Sequence, residues 1–209
     1  MKILGLLGSP RVNGMCGKLL KKALEGVESK GAQTKRFDLI KCNIKHCIGC
    51  FKCVFENHEL PVGKCVLKDD MASILEEYAA ADGYIFATPC YEGFVTALMK
   101  KFLERKIALG FREKEEYGKI AAARVPANFK KMASFIVTAN CPDEYIEIMG
   151  DPVFEAMEGH LMIEQVPSVD KLYVGGVENM SDETFSEKLN EAFKLGIRLV
   201  EEIEKAQKE

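Results

Sequence analysis

Short, uninterrupted apolar runs alternate along the chain with longer stretches in which apolar residues recur every three or four positions. Residues 2–7 form the first run, closed by Gly8-Ser9-Pro10, and a strand buried on both faces of a sheet has this continuous pattern. Over residues 15–30, Leu19, Leu20, Ala23, Leu24 and Val27 share one helical face and Gly31 supplies the stop. Residues 33–39 read as a second strand, and Asp69-Asp70 opens a helix with Met71, Ile74, Leu75 and Tyr78 on one side. A third strand over 84–88 leads to a helix over 95–109, and strands over 132–139 and 171–174 follow. Between those two strands, residues 144–165 have a helical pattern that Gly150-Asp151-Pro152 should break, because proline lacks the N–H and crowds the preceding turn. A long amphipathic helix from about Asp182, with Ser181 as its cap, closes the chain.

Strands alternating with helices predict a doubly wound, five-stranded parallel α/β sheet with helices on both faces. No repeat or linker divides residues 1–209, so one domain is expected. Two segments break the rhythm: a cysteine-rich connection over residues 40–68, after the second strand, and a charged one over 110–131 interrupted by Pro126. Long connections in compact domains are commonly functional.

Charge and cysteine content narrow the classes. The 209 residues carry 29 Lys+Arg against 32 Asp+Glu, a formal charge of −3, which argues against a nucleic-acid surface built on phosphate neutralisation. No apolar run approaches the roughly 18 residues of a membrane span. A chain of this size forms a core without staples, and the apolar stretch before Ser9 is too short for a signal peptide. The eight cysteines therefore point to reducing, cytoplasmic surroundings, where thiols are free, catalytic or metal-bound.

The first strand and first helix are joined by Gly8-Ser9-Pro10-Arg11-Val12-Asn13-Gly14-Met15-Cys16. In an open parallel sheet such a loop faces the ligand crevice, and the helix N-terminus offers free N–H groups to a phosphate. Ser9 and Cys16 can add donors and Arg11 a charge. The spacing matches neither the P-loop nor the dinucleotide fingerprint, and a terminal phosphate, as on FMN, suits it. The plainer alternative is a glycine turn with Ser9 or Asn13 capping the helix. Thr88-Pro89-Cys90-Tyr91-Glu92-Gly93-Phe94 lies at the end of the third strand, where the strand order should reverse beside the first loop; there Tyr91 can meet an aromatic ligand and Gly93 opens backbone N–H groups to it. Its alternative is a Pro-Gly turn with a packed aromatic.

The two loops resemble the NADPH-dependent FMN reductase family of flavodoxin-like proteins, in Gly8-Ser9-Pro10-Arg11 and in Pro89-Cys90-Tyr91-Glu92-Gly93. The resemblance implies FMN contacts from Ser9, Pro10, Arg11, Asn13, Met15 and Cys16 in the first loop, and from Thr88, Pro89, Cys90, Tyr91, Glu92 and Gly93 in the second. It weakens at Thr138-Ala139-Asn140-Cys141-Pro142-Asp143, where Asn140 can still offer an amide to the ring.

Cys47, Cys50 and Cys53 form C-x2-C-x2-C, and Cys65 follows after 11 intervening residues. Three closely spaced thiolates with a fourth farther on suit a 4Fe-4S cluster better than zinc, which favours two separated C-x2-C knuckles. Zinc or a redox-active thiol pair remain the alternatives for this metal-binding insertion at about 41–68. The motif narrows the resemblance to iron-sulfur flavoproteins, with an insertion around residues 56–62 ahead of the fourth ligand. That implies an oxidoreductase passing electrons between cluster and FMN, a homodimer or homotetramer, and a small redox protein such as ferredoxin, or a nicotinamide, as partner. An NAD(P)H-dependent FMN or quinone reductase without a cluster is the alternative enzyme, and a redox-sensing module the non-enzymatic one. No side chain reads as acid, base or nucleophile; His46, His58 and His160 are scattered.

Overall fold

The computed structural model of the chain describes residues 1–116, 118–124 and 130–208. Strand β1 (Lys2–Leu7) is buried at every position after the first, and α1 (Met15–Ser29) and β2 (Gln33–Asp38) follow it. The cysteine-bearing stretch then runs with one short helix, α2 (Lys52–Phe55), to α3 (Met71–Ala79). Strand β3 (Gly83–Tyr91) turns back through β4 (Phe94–Val95) into α4 (Ala97–Arg105) and a 3-10 turn at Lys106–Leu109. A small ribbon, β5 (Gly110–Phe111) with β6 (Ala122–Ala123), precedes β7 (Met132–Thr138). Helices α5 (Ile146–Met149) and α6 (Asp151–Gly159), strand β8 (Ser168–Val174) and α7 (Asp182–Lys208) complete the chain.

Strands β2, β1, β3, β7 and β8 lie parallel in that order, and β4 pairs antiparallel with β3. The order is that of a flavodoxin-like, doubly wound sheet, and it reverses between β1 and β3. The loops that leave those two strands therefore flank one crevice. Alternation along each strand divides the core. Ile3, Leu7, Ile85, Ala87 and Ile136 pack beneath α1 and α7, while Leu4, Leu6, Tyr84, Phe86, Phe135 and Val137 pack beneath α3, α4 and α6. The second layer also buries charge: Lys106 Nζ lies 2.9 Å from Glu164, and the Tyr78 hydroxyl donates to the same carboxylate at 3.0 Å.

Two boundaries at the second loop differ from the pattern. Strand β3 runs past Pro89 to Tyr91, because Pro89 pairs with Thr138 at the last register position before β3 leaves β7, where its missing N–H is tolerated. Helix α4 starts at Ala97, since Thr96 is extended and its side chain accepts the Met99 N–H as a cap. The expected break at Gly150-Asp151-Pro152 falls between α5 and α6, with Pro152 in the first turn of α6. Ser181 caps α7 by accepting the Thr184 N–H at 3.1 Å. Pro126 lies outside the described residues. Among those described, no helix is long and apolar enough to cross a membrane.

Candidate cofactor site

The loop after β1 is held from three sides. Gly8 N–H donates to Ala87 O of β3 at 2.8 Å. The buried Ser9 hydroxyl accepts the Arg11 N–H at 3.2 Å and faces Arg11 O at 3.3 Å, so it shapes the turn rather than capping α1. The cap position is Gly14, which supplies no side chain, and Asn13 is exposed. The first-turn N–H groups of α1 thus have no side-chain cap and stay available to an anion.

Arg36 of β2 supplies the third hold: its guanidinium donates to Val12 O and Gly17 O, both at 3.0 Å, and is paired with Asp38 at 2.6 Å. A side chain at Gly17 would put its Cβ 1.9 Å from Val12 O, so only glycine lets the loop close on the helix. Sequence reasoning missed both residues, because their role is visible only once β2 lies beside the loop. Cys16 is buried with its thiol bonded to Thr138, and burial pushes its pKa up to about 12. It is a neutral S–H at this site.

Ser9, Arg11, Met15, Cys16, Pro89 and Asn140 come together around a cavity of about 330 Å³, joined by Thr138 and Glu178. The Asn140 amide donates to Glu178 at 3.3 Å. Pro10 and Asn13 are exposed on the loop and do not line the cavity.

Of the second loop, Thr88 is structural: its buried hydroxyl accepts the Thr96 N–H at 3.4 Å and donates to Pro89 O at 3.1 Å. The Thr96 hydroxyl in turn donates to Gly8 O at 2.5 Å, tying the start of α4 to the first loop. Glu92 (φ 50°) and Gly93 (φ 70°) form a left-handed two-residue turn. It sets Tyr91 and Phe94 opposite one another on an exposed hairpin. Cys90 is half-buried, and burial raises its pKa although the Gly93 N–H bonded to it works the other way. Cys90, Tyr91, Glu92 and Gly93 stand on this hairpin, outside the lining of the 330 Å³ cavity.

Cys47, Cys50, Cys53 and Cys65 line a different cavity, of about 360 Å³, with Ile48, Phe51, Leu67 and Ile107 as its apolar wall. Left-handed backbone at Gly49 (φ 65°) and Phe51 (φ 54°) bends the chain between successive cysteines. Burial, and then the neighbouring Cys65, Cys47 and Cys50 thiols, push Cys53 up to about 11. A cation in the cavity would reverse that preference, because metal ligands are thiolates. Among the described residues no three His, Cys, Asp or Glu side chains converge on a single-ion position. A 4Fe-4S cube takes one thiolate at each of its irons, so its ligands surround a volume rather than meet at a point, and four thiols on one apolar cavity fit that requirement.

Two arginines hold this segment. Arg124 donates to the carbonyls of Cys53, Glu56, Asn57, Leu60 and Gly110. Arg105 pairs with Asp69 at the segment's far end. The third unexpected neighbour is His160, which joins the cavity wall with its Nε2 3.3 Å from Lys100 Nζ. The charge run and scattered histidines of the sequence carried no signal for these three, since every partner is distant along the chain.

A family model described as NADPH-dependent FMN reductase matches residues 1–132, which include both loops and the whole cysteine segment. The chain belongs to the NADPH-dependent FMN reductase family. This FMN reductase relative is 33% identical over 130 residues to an iron-sulfur flavoprotein of Methanocaldococcus jannaschii, covering 61% of this chain and 64% of that protein. It is 37% identical over 120 residues to an iron-sulfur flavoprotein of Archaeoglobus fulgidus, covering 56% and 52%. The chain thus spans about half to two thirds of those relatives' length. Its fold is shared with an NAD(P)H:quinone oxidoreductase from Methanothermobacter marburgensis (TM-score 0.71, 19% identity, 95% of this chain and 98% of that one). It is also shared with an FMN-dependent NADH-azoreductase of Bacillus anthracis in complex with FMN (TM-score 0.65, 15% identity, 95% and 98%).

Proposed function

We propose that this chain is an FMN-dependent oxidoreductase that holds FMN between the loops after β1 and β3 and a 4Fe-4S cluster on Cys47, Cys50, Cys53 and Cys65. Residues 1–209 act as one FMN-binding unit, and residues 41–68 are its metal-binding insertion. The observation that carries this reading is α4. Its Thr96 cap is bonded to Gly8 of the first loop, and its last residue, Arg105, lines the four-cysteine cavity. At 1.5 Å per residue the two ends stand about 14 Å apart along one helix axis.

The chemistry the two groups supply when bound is electron transfer, in single steps at the cluster and in ones or twos at the flavin. The chain's own residues bind and orient. The first turn of α1 and Arg11 receive the phosphate, with Arg36 and Gly17 keeping the loop closed on the helix. Tyr91, the Glu92–Gly93 turn and Asn140 serve the ring, while Phe51, Leu67 and Ile107 form the apolar wall on the protein side of the sulfurs. A small redox protein such as ferredoxin or a nicotinamide is the partner, and the working form is a homo-oligomer in the reducing cytoplasm. The eight free cysteines support that setting.

Anaerobic purification with iron and flavin quantitation tests the reading. The expected result is about four irons and one FMN per chain, with Cys50→Ser losing iron and keeping flavin. The exposure of Cys47 and Cys50 favours a second reading, an NAD(P)H-dependent FMN or quinone reductase without a cluster. Full flavin with no iron, bleached rapidly by NADPH, would select it.

A further inference from the structure

We propose that Arg105 sets the reduction potential of the cluster through the sulfur of Cys65, an inference that rests on the cluster reading above. The Arg105 guanidinium is 3% exposed and grips the fully buried Asp69 carboxylate with two arms, Nη1 to Oδ2 at 2.6 Å and Nη2 to Oδ1 at 3.1 Å. Nη1 also donates to Lys45 O at 2.8 Å. Asp69 is fixed in turn by the backbone N–H groups of Lys45 at 2.9 Å and Met71 at 3.1 Å. The guanidinium therefore cannot swing, and its Nη2 stands 3.5 Å from Cys65 Sγ.

A long, exposed arginine near a thiol would be screened and mobile. This one is preorganised: its planar fork is occupied by Asp69, and the remaining donor direction of Nη2 falls on the sulfur. A hydrogen bond from a fixed positive charge to a ligand sulfur stabilises the electron-rich, reduced cluster over the oxidised one. Arg105 accordingly raises the potential, and Cys65 is the ligand through which it acts.

The test is an EPR-monitored redox titration of the iron-loaded protein against two variants. Arg105→Lys keeps a cation beside Asp69 and removes the arm to Cys65. The double variant Arg105→Gln, Asp69→Asn removes both charges together, so no buried carboxylate is left unpaired. The expected result is a reduction equilibrium shifted about tenfold toward the oxidised cluster in the double variant, 59 mV for one electron. A smaller shift of the same sign is expected in Arg105→Lys, both shifts being read on the iron-loaded molecules, with the flavin potential unchanged. An unchanged cluster potential at full iron content overturns the role of Arg105 while leaving the cluster reading intact. Loss of iron from both variants also overturns it, because Arg105 would then be a clamp only. A wild-type protein without iron overturns the cluster reading itself, and this inference with it.

Discussion

Cys16 lies between the loop and the sheet, and its chemistry is decided by burial rather than by its position in a ligand-facing loop. Its thiol is pushed from 9.0 to about 12, so the unfolded chain ionises first as pH rises. Between about pH 9 and 12 the unfolded state binds fewer protons, and stability falls with pH across that window, by about 4 kcal/mol at most from this residue. Below pH 9 the contribution is flat. Urea unfolding of wild type and Cys16→Ala at steps from pH 8 to 11 should show a shallower decline in the variant. Parallel slopes would mean that Cys16 is solvated in the folded protein. The sequence placed this residue in the right loop, but a thiol in a glycine-rich turn reads equally well as a ligand donor. Its burial depends on Thr138 of β7, more than a hundred positions away.

Among the elements, α1 and α7 pack backbone against backbone. A Cβ on Gly196 would stand 1.9 Å from Ala23 O, and one on Gly26 would stand 2.1 Å from Phe193 O. Each helix presents a glycine to the other's backbone, so the two cross nearly in contact over the sheet. Gly196→Ala must push them apart and open the packing of Leu195 and Leu199, an overpacking cost of about 1–3 kcal/mol. Gly159→Ala, at the last position of α6 with nothing within 4 Å of the new methyl, should be neutral or stabilising by up to about 1 kcal/mol. Thermal melts of the two variants should therefore move in opposite directions or at least differ by several degrees. Equal melting temperatures would show that α7 can slide on α1. The helices themselves were legible: the inward stripe of α7 and its Ser181 cap follow from spacing alone. The hairpin β3–β4 was not, because Pro89 reads as a strand terminator and only its place at the end of the β3–β7 pairing shows why the strand continues. Two-residue strands such as β5 and β6 leave no periodicity to read.

At the scale of the whole molecule, motif-bearing residues were legible and the contacts that hold them were not. Cys47, Cys50, Cys53 and Cys65 share a cavity as their spacing suggests, yet what closes the segment around them is Arg105 with Asp69, 36 positions apart, and Arg124 with Cys53, 71 apart. Such clamps have no local signature. Arg124 is informative because its bonds reach four carbonyls between Cys53 and Leu60 as well as Gly110 of the small ribbon. A side chain at Gly63 would also collide with Cys53 O at 1.9 Å, so chain and guanidinium pack on the same carbonyl. If residues 41–68 are an insertion fastened to a complete sheet, releasing Arg124 should open that segment alone. Hydrogen exchange of Arg124→Gln should then rise at least tenfold over residues 53–63 and at β5–β6, while β1, β3, α1 and α7 keep wild-type protection, because local opening draws only on the contacts that are lost. Flavin retention should be unchanged, since the loop after β1 is held by Arg36 and Thr96 instead. Exchange rising together in β1 and β3 would instead make the cysteine segment part of the sheet's own cooperative unit. Its thiols could not then be loaded or emptied without the flavin crevice responding.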